Sequence, residues 1–185
     1  MKNRFYLGLV HHPVYNKFSE IVTTSITNMD IHDISRSCLT YGVSRYFLIN
    51  PLPTQKELLM RILKFWKREP ANKYNPHRVD ALSMIQYSES IESSVSDIKK
   101  QDKMNPIIIS TTAAGRDDQI GFSEFRKMEF EKPVLLLFGT GNGLSNQVHE
   151  LADYVLEPIK GLQNYNHLSV RSAVAIVLDR ILSEK

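Results

Sequence analysis

Pro133-Val134-Leu135-Leu136-Leu137-Phe138-Gly139-Thr140-Gly141-Asn142-Gly143-Leu144-Ser145 is the segment on which the fold turns. Its apolar run, bounded by proline and glycine, reads as a buried strand. The glycines that follow allow a sharp turn and predict peptide N–H groups presented to a ligand at close range. Such a strand-to-loop edge is where open α/β sheets bind small molecules. Only 42 residues follow Gly143, so this strand belongs to the last part of a sheet.

Working outward, strand-like and helix-like patterns alternate through the chain, which predicts an α/β fold with a mostly parallel sheet and helices on both faces. Strands are expected at about 4–10, 44–50, 83–87, 106–111, 133–138 and 153–157. A helix is expected from Ile31 to Tyr41, with Asp30 as its N-cap and Gly42 ending it. Thr54-Gln55-Lys56-Glu57 has the form of a capping box opening a helix through Trp66 or a little beyond. Further helices are predicted over Ser90–Lys100, Ser145–Leu151 and Leu168–Leu182. The last carries an apolar stripe of Val170, Val174, Val177, Leu178 and Ile181. Thr112 to Met128 carries little regular pattern and reads as a long functional loop.

The composition, 42% hydrophobic and 23% charged, is that of a soluble globular protein, and residues 1–185 are expected to form one domain. No run of about 18 apolar residues predicts a membrane span. The apolar segment ending at Val10 is too short for a secretory signal and reads as the first strand. One cysteine, Cys38, excludes an internal disulfide and suits a reducing cytoplasm. No metal is expected, because His11, His12 and His167 have no companion ligands at zinc-like spacing.

The glycine loop alone admits three readings. Gly139-x-Gly141-x-Gly143 has the spacing of the first motif of Rossmann-type methyltransferases, with Glu157 as a ribose-binding acid. Leu137, where that motif usually has an acid, and the little chain left after Glu157 count against it. A tight turn without ligand is the second reading. The third depends on residues elsewhere.

Asp30-Ile31-His32-Asp33-Ile34-Ser35-Arg36-Ser37-Cys38-Leu39-Thr40-Tyr41-Gly42 resembles motif 1 of the SpoU-type enzymes of the SPOUT superfamily of RNA methyltransferases. Arg36, Tyr41 and Gly42 match in register, and Asp30 stands where that motif has Asn. Pro133 to Gly143 with Ala152-Asp153 looks like motif 2, and His167 to Ala173 looks like motif 3. Gly141-Asn142 replaces the acid often found in motif 2, and Leu168-Ser169-Val170-Arg171 replaces Leu-Asn-Val-Ser in motif 3. The nearest resemblance is to a little-characterised bacterial SPOUT group, sometimes fused to tRNA (guanine-N1)-methyltransferase. It implies a C-terminal deep trefoil knot, bound S-adenosylmethionine, a homodimer, and tRNA or rRNA as substrate. By matching position, the cofactor pocket comprises Ser110, Thr111 and Thr112, then Phe138, Gly139, Thr140, Gly141 and Gly143. Ile159, Gly161, Leu162, Leu168, Ser169 and Ala173 complete it.

Methyl transfer from a sulfonium is an in-line displacement, so the protein must align the nucleophile and remove one proton. The resemblance gives Arg36 the activation of a ribose 2′-hydroxyl, with Asp30 beside it as a second catalytic candidate or a helix-end charge. For methylation of a base nitrogen, Asp117 or Asp118 is the expected proton acceptor, with Arg116 holding substrate. His11 is expected at the rim of the site. Between Lys56 and Arg78 there are seven basic residues against two acidic ones. If the helix continues to Arg68, then Arg61, Lys64, Lys67 and Arg68 point away from Leu58, Leu59, Ile62 and Trp66, a surface suited to RNA phosphates. The alternatives are an S-adenosylmethionine-binding RNA adaptor without catalysis and a permuted Rossmann-type nucleotide-binding enzyme.

Overall fold

Leu7, Leu9, Leu48, Leu136 and Phe138 face one side of the molecule's centre, while Tyr6, Phe47, Ile49, Leu135 and Leu137 face the other. Strands that are apolar on both faces must be covered on both, as in parallel α/β sheets. The computed structural model describes residues 4–163 and 165–183. In chain order the first elements are β1 (Phe5–Val10), β2 (Val14–Tyr15), β3 (Ile21–Val22), α1 (Asn28–Thr40), β4 (Arg45–Ile49) and α2 (Pro53–Trp66). There follow α3 (Glu69–Tyr74), α4 (Pro76–Leu82), β5 (Ile85–Ser88), α5 (Ile91–Asp102), β6 (Ile107–Thr111) and β7 (Gln119–Ile120). The last are α6 (Phe122–Phe125), β8 (Val134–Gly139), α7 (Asn146–Leu151), β9 (Tyr154–Leu156) and α8 (Val170–Leu182).

The described residues form a seven-stranded sheet in the order β5-β4-β1-β8-β6-β9-β7, every pairing parallel. A separate antiparallel ribbon joins β2 to β3. Helices α1, α4 and α8 pack on one face and α5 and α7 on the other. Gly8 in β1 permits this density, since a Cβ there would lie 2.7 Å from Leu137 Cδ2. Among the described residues no helix is long and apolar enough to cross a membrane.

The strands and major helices fall where the sequence places them, but several helix starts differ. Thr27, not Asp30, is the N-cap of α1: its hydroxyl accepts from the Asp30 amide and donates to the Asp30 carboxylate. The Thr54 capping box does not form, because α2 begins earlier at Pro53, whose missing N–H and fixed φ suit a first helical position. Ser90 and Ser169 are caps of α5 and α8, each hydroxyl accepting a backbone N–H three residues on, and Ser145 occupies the N-cap position of α7. The basic helix stops at Trp66 instead of reaching Arg68. Pro70 and Pro76 then start the short helices α3 and α4. The expected loop from Thr112 to Met128 contains β7, paired with β9, and the single turn α6.

Candidate functional site

Three parallel strands, β8, β6 and β9, end side by side. Ser110 of β6 pairs with Leu137 of β8, and Thr111 pairs with Leu156 of β9. This register brings the loops after Thr111, Phe138 and Leu156 to one edge, so Thr112, Gly139–Gly143 and Pro158–Leu162 are neighbours. Asn166 Nδ2 donates to the carbonyl of Ala113 at 3.0 Å, which draws in the segment entering α8. The sequence places its cofactor residues in these four segments, and the fold assembles all four at one sheet edge. The chain runs from β6 through β8 to β9 and returns past Ala113 to α8.

Individual side chains qualify that agreement. Ser110 is fully buried and its hydroxyl meets His149 Nδ1 at 2.9 Å, so it faces α7 and not the edge. Burial, and to a smaller extent Arg116, lowers the basicity of His149. The Thr111 hydroxyl donates to the Leu137 carbonyl, and the Phe138 ring is in the core. These residues offer the edge their backbone only. Glu157, the candidate ribose acid, instead accepts the Phe122 amide at 2.9 Å. Leu162, fully exposed, Tyr165 and Leu168 leave apolar surface uncovered between β9 and α8.

The glycine loop is held from outside. Tyr15 donates its N–H to the Gly143 carbonyl at 2.9 Å and accepts the Asn142 N–H at 2.8 Å. Val14 bridges to Leu144, and the Tyr15 hydroxyl accepts the Asn146 amide. Gly141 (φ +59°) and Gly143 (φ +105°) are left-handed, and a Cβ on Gly141 would lie 2.8 Å from the Tyr15 carbonyl. Thus the expected outward display of loop amides is wrong at Asn142, whose N–H is consumed by the ribbon. The Tyr15 contact carried no signal in sequence, because its backbone does the work.

His11, expected at the rim, is fully buried beneath this loop. The Thr140 hydroxyl donates to the Val10 carbonyl at 3.1 Å and also pairs with the Thr24 hydroxyl, which lies 2.9 Å from His11 Nδ1. Proton counting along this chain requires Thr24 to donate to Thr140 and His11 Nδ1–H to donate to Thr24. Nε2 is then an unprotonated acceptor, buried without a partner among the described residues. Burial pushes the His11 pKa down to about 4.

Of the other candidates, Asp30 is buried in α1 and lies 3.7 Å from Arg171 Nη1, while Arg171 Nε lies 3.5 Å from Asp33. Arg36 is exposed on α1; burial, and to a smaller extent Arg78 and then Arg36, disfavours protonation of His32. Asp117 is exposed in the loop after β6, beside Arg116, whose Nε lies 3.3 Å from Asp118. The fold therefore joins Asp30 to the start of α8 and keeps Asp117 on the exposed loop after β6. Lys64 and Arg68 line a separate cleft with Leu58, Ile62 and Trp66, so they share an open face with those side chains instead of opposing them. Lys67 is not part of that lining.

Residues 4–183 match a family model described as SAM-dependent RNA methyltransferase. The chain belongs to this family. A relative in Oleidesulfovibrio alaskensis, named tRNA (guanine-N(1)-)-methyltransferase, is 44% identical over 179 residues, covering 97% of this chain and 42% of that protein. The chain thus spans well under half the length of that methyltransferase. An uncharacterised protein of Aquifex aeolicus is 33% identical over 180 residues, covering 96% of this chain and 88% of its own length. The SpoU methyltransferase AviRb from Streptomyces viridochromogenes, solved with AdoMet, superposes with a TM-score of 0.57 at 18% identity, covering 97% and 59% of the two chains. The methyltransferase fold is accordingly SPOUT, and the permuted Rossmann alternative is set aside. S-adenosylmethionine is the cofactor of the family. The edge suits it: uncovered apolar side chains at Leu162 and Leu168 can enclose an adenine, open backbone surrounds Gly161, and the ligand has no phosphate to neutralise.

Proposed function

We propose that residues 1–185 form one methyltransferase domain that acts as a cytoplasmic homodimer on tRNA or rRNA. The observation that carries this is the meeting of Thr112, Gly139–Gly143, Pro158–Leu162 and the entry to α8 at one sheet edge, in a chain of this family. The backbone of these segments and the side chains of Ile159, Leu162 and Leu168 hold the cofactor, with Ser169 and Ala173 at the start of α8. When bound, S-adenosylmethionine supplies an electrophilic methyl group. Arg116 orients the nucleotide and Asp117 accepts its proton, a choice supported by the hydrogen bond from Asn166 that ties their loop to the edge. That arrangement favours a base nitrogen. Arg36, on α1, serves a ribose 2′-hydroxyl in the competing assignment. Asp30 acts as a positioning residue, because its carboxylate is occupied by Thr27 and Arg171.

The guanine-N1 activity in the names of the longer relatives describes those whole proteins. The Aquifex relative, matched over 88% of its length, supports a unit of this size working without the remainder. A second reading, an RNA adaptor that binds S-adenosylmethionine without transfer, is favoured by one feature: motif 3 carries Arg171 engaged with carboxylates where a small polar residue is usual.

Titration calorimetry with S-adenosylmethionine, paired with transfer of labelled methyl to unmodified tRNA and rRNA, separates these. Gly161→Val should abolish cofactor binding in a folded protein, since nothing lies within 4 Å of a Cβ there. Asp117→Asn should keep binding and lose transfer by about 100-fold or more. Binding by the wild type without transfer to any RNA would establish the adaptor. Absence of binding by well-folded protein would sink both.

A further inference from the structure

Lys56 to Arg78 carries a net charge of +5, from seven basic and two acidic residues, whereas the whole chain carries +3. The rest of the chain is therefore net negative, and its attraction for a polyanion is concentrated in one place. The break of α2 at Lys67 and the return through α3 and α4 fold this stretch around an open cleft of about 770 Å³. Arg61, Lys64, Arg68 and Arg78 line it, and no carboxylate does. None of the four has an acidic partner within ion-pair distance among the described residues.

The floor is aromatic. Trp66 is half-buried against the core, with the Arg78 guanidinium 4.8 Å above its ring and His32 edge-on at 5.5 Å. Phe65, perpendicular to Trp66, keeps 55% of its surface exposed. His32 Nδ1 is buried without a hydrogen-bond partner among the described residues. Cations that no carboxylate neutralises, beside the exposed ring of Phe65, match the chemistry of unpaired nucleotides, whose phosphates seek charge and whose bases seek a stacking surface.

We infer that the α2–α4 cleft is a docking site for single-stranded or looped RNA, with phosphates on Arg61, Lys64, Arg68 and Arg78 and a base stacked on Phe65. This rests on the RNA methyltransferase reading and gives that enzyme a second RNA contact away from the cofactor edge.

The test measures fluorescence anisotropy of a labelled oligouridylate and of bulk tRNA with full-length protein at several salt concentrations. Arg61→Glu/Lys64→Glu should weaken both by at least tenfold and flatten the salt dependence, while Lys67→Glu, outside the lining, changes affinity less than threefold. Phe65→Ala should weaken the oligouridylate by about fivefold to 150-fold, the range of stacking contacts. S-adenosylmethionine binding and the thermal midpoint should be unchanged in all three, which separates this proposal from the cofactor site. Unchanged RNA affinity in the double variant, with cofactor binding intact, would overturn the cleft and leave the methyltransferase reading standing. Conversion of a dimer to a monomer by the double variant in sedimentation would also overturn it, by making the cleft an interface between copies.

Discussion

The guanidinium of Arg171 lies 3.7 Å from the buried carboxylate of Asp30, tying the start of the last helix to the start of the first. Eight residues further along α8, Asp179 accepts the Tyr41 hydroxyl at 2.9 Å, at the other end of α1. The two ties make α1 and α8 run in the same direction. Arg171→Ala leaves Asp30 with Thr27 as its remaining side-chain partner, and should cost about 1–3 kcal/mol. Thermal melts of Arg171→Ala, Asp30→Asn and the double variant should show coupling of about 1 kcal/mol. Additive effects would remove the ion pair from this account.

Glycines 141 and 161 should respond in opposite ways. At Gly141 any side chain meets the Tyr15 carbonyl and a left-handed backbone, so Gly141→Ala should lose about 2–3 kcal/mol. At Gly161 there is open space, and alanine should change stability by less than about 0.5 kcal/mol. Urea unfolding of the two variants checks this. A neutral Gly141→Ala would mean that the ribbon does not clamp the loop.

His11 makes the folded state acid-sensitive. An unfolded histidine takes up a proton near its ordinary value of 6.5, but burial delays protonation in the fold to about 4. Stability should therefore be unaffected by this group above that ordinary value and fall as pH drops through the window, by roughly 3 kcal/mol in all. His11→Gln should flatten that decline in unfolding measured across the range. Nitrogen chemical shifts at neutral pH should report the Nδ1–H tautomer, as the hydroxyl chain requires.

Gly8→Ala should overpack the sheet centre. Its Cβ would approach Leu137 Cδ2 at 2.7 Å and Ile49 Cδ1 at 3.0 Å, a cost of about 1–3 kcal/mol if the two side chains shift. Calorimetric unfolding should show it as a lower midpoint, and the fold should survive.

What could be read in advance follows from where the information resides. Leu135–Phe138 and Tyr46–Ile49 announce buried strands because every position is apolar, and the parallel register then brings together the segments expected to hold the cofactor. The N-cap of α1 is hard to place because Thr27 and Asp30 are both good capping residues, and only the fold shows the Thr27 hydroxyl accepting the Asp30 amide while donating to the Asp30 carboxylate. The Tyr15 clamp on Asn142 and Gly143 leaves no trace in the sequence because backbone groups form it. Lys64 and Trp66 line one cleft together with His32 of α1 and Arg78 of α4, a grouping that a helix continued to Arg68 does not reveal.

The ribbon that clamps the glycine loop has a consequence for how the protein is made. Thr140 bonds to Val10 across a separation of 130 residues, and Tyr15 and Val14 reach the same loop from the same distant part of the chain. Contacts so far apart in sequence must bear a large closure entropy before they form. During synthesis β2 and β3 emerge with nothing to grip until β8 has been translated. The loop's shape is stored in residues made about 130 positions before it, and it is read out only when both are present.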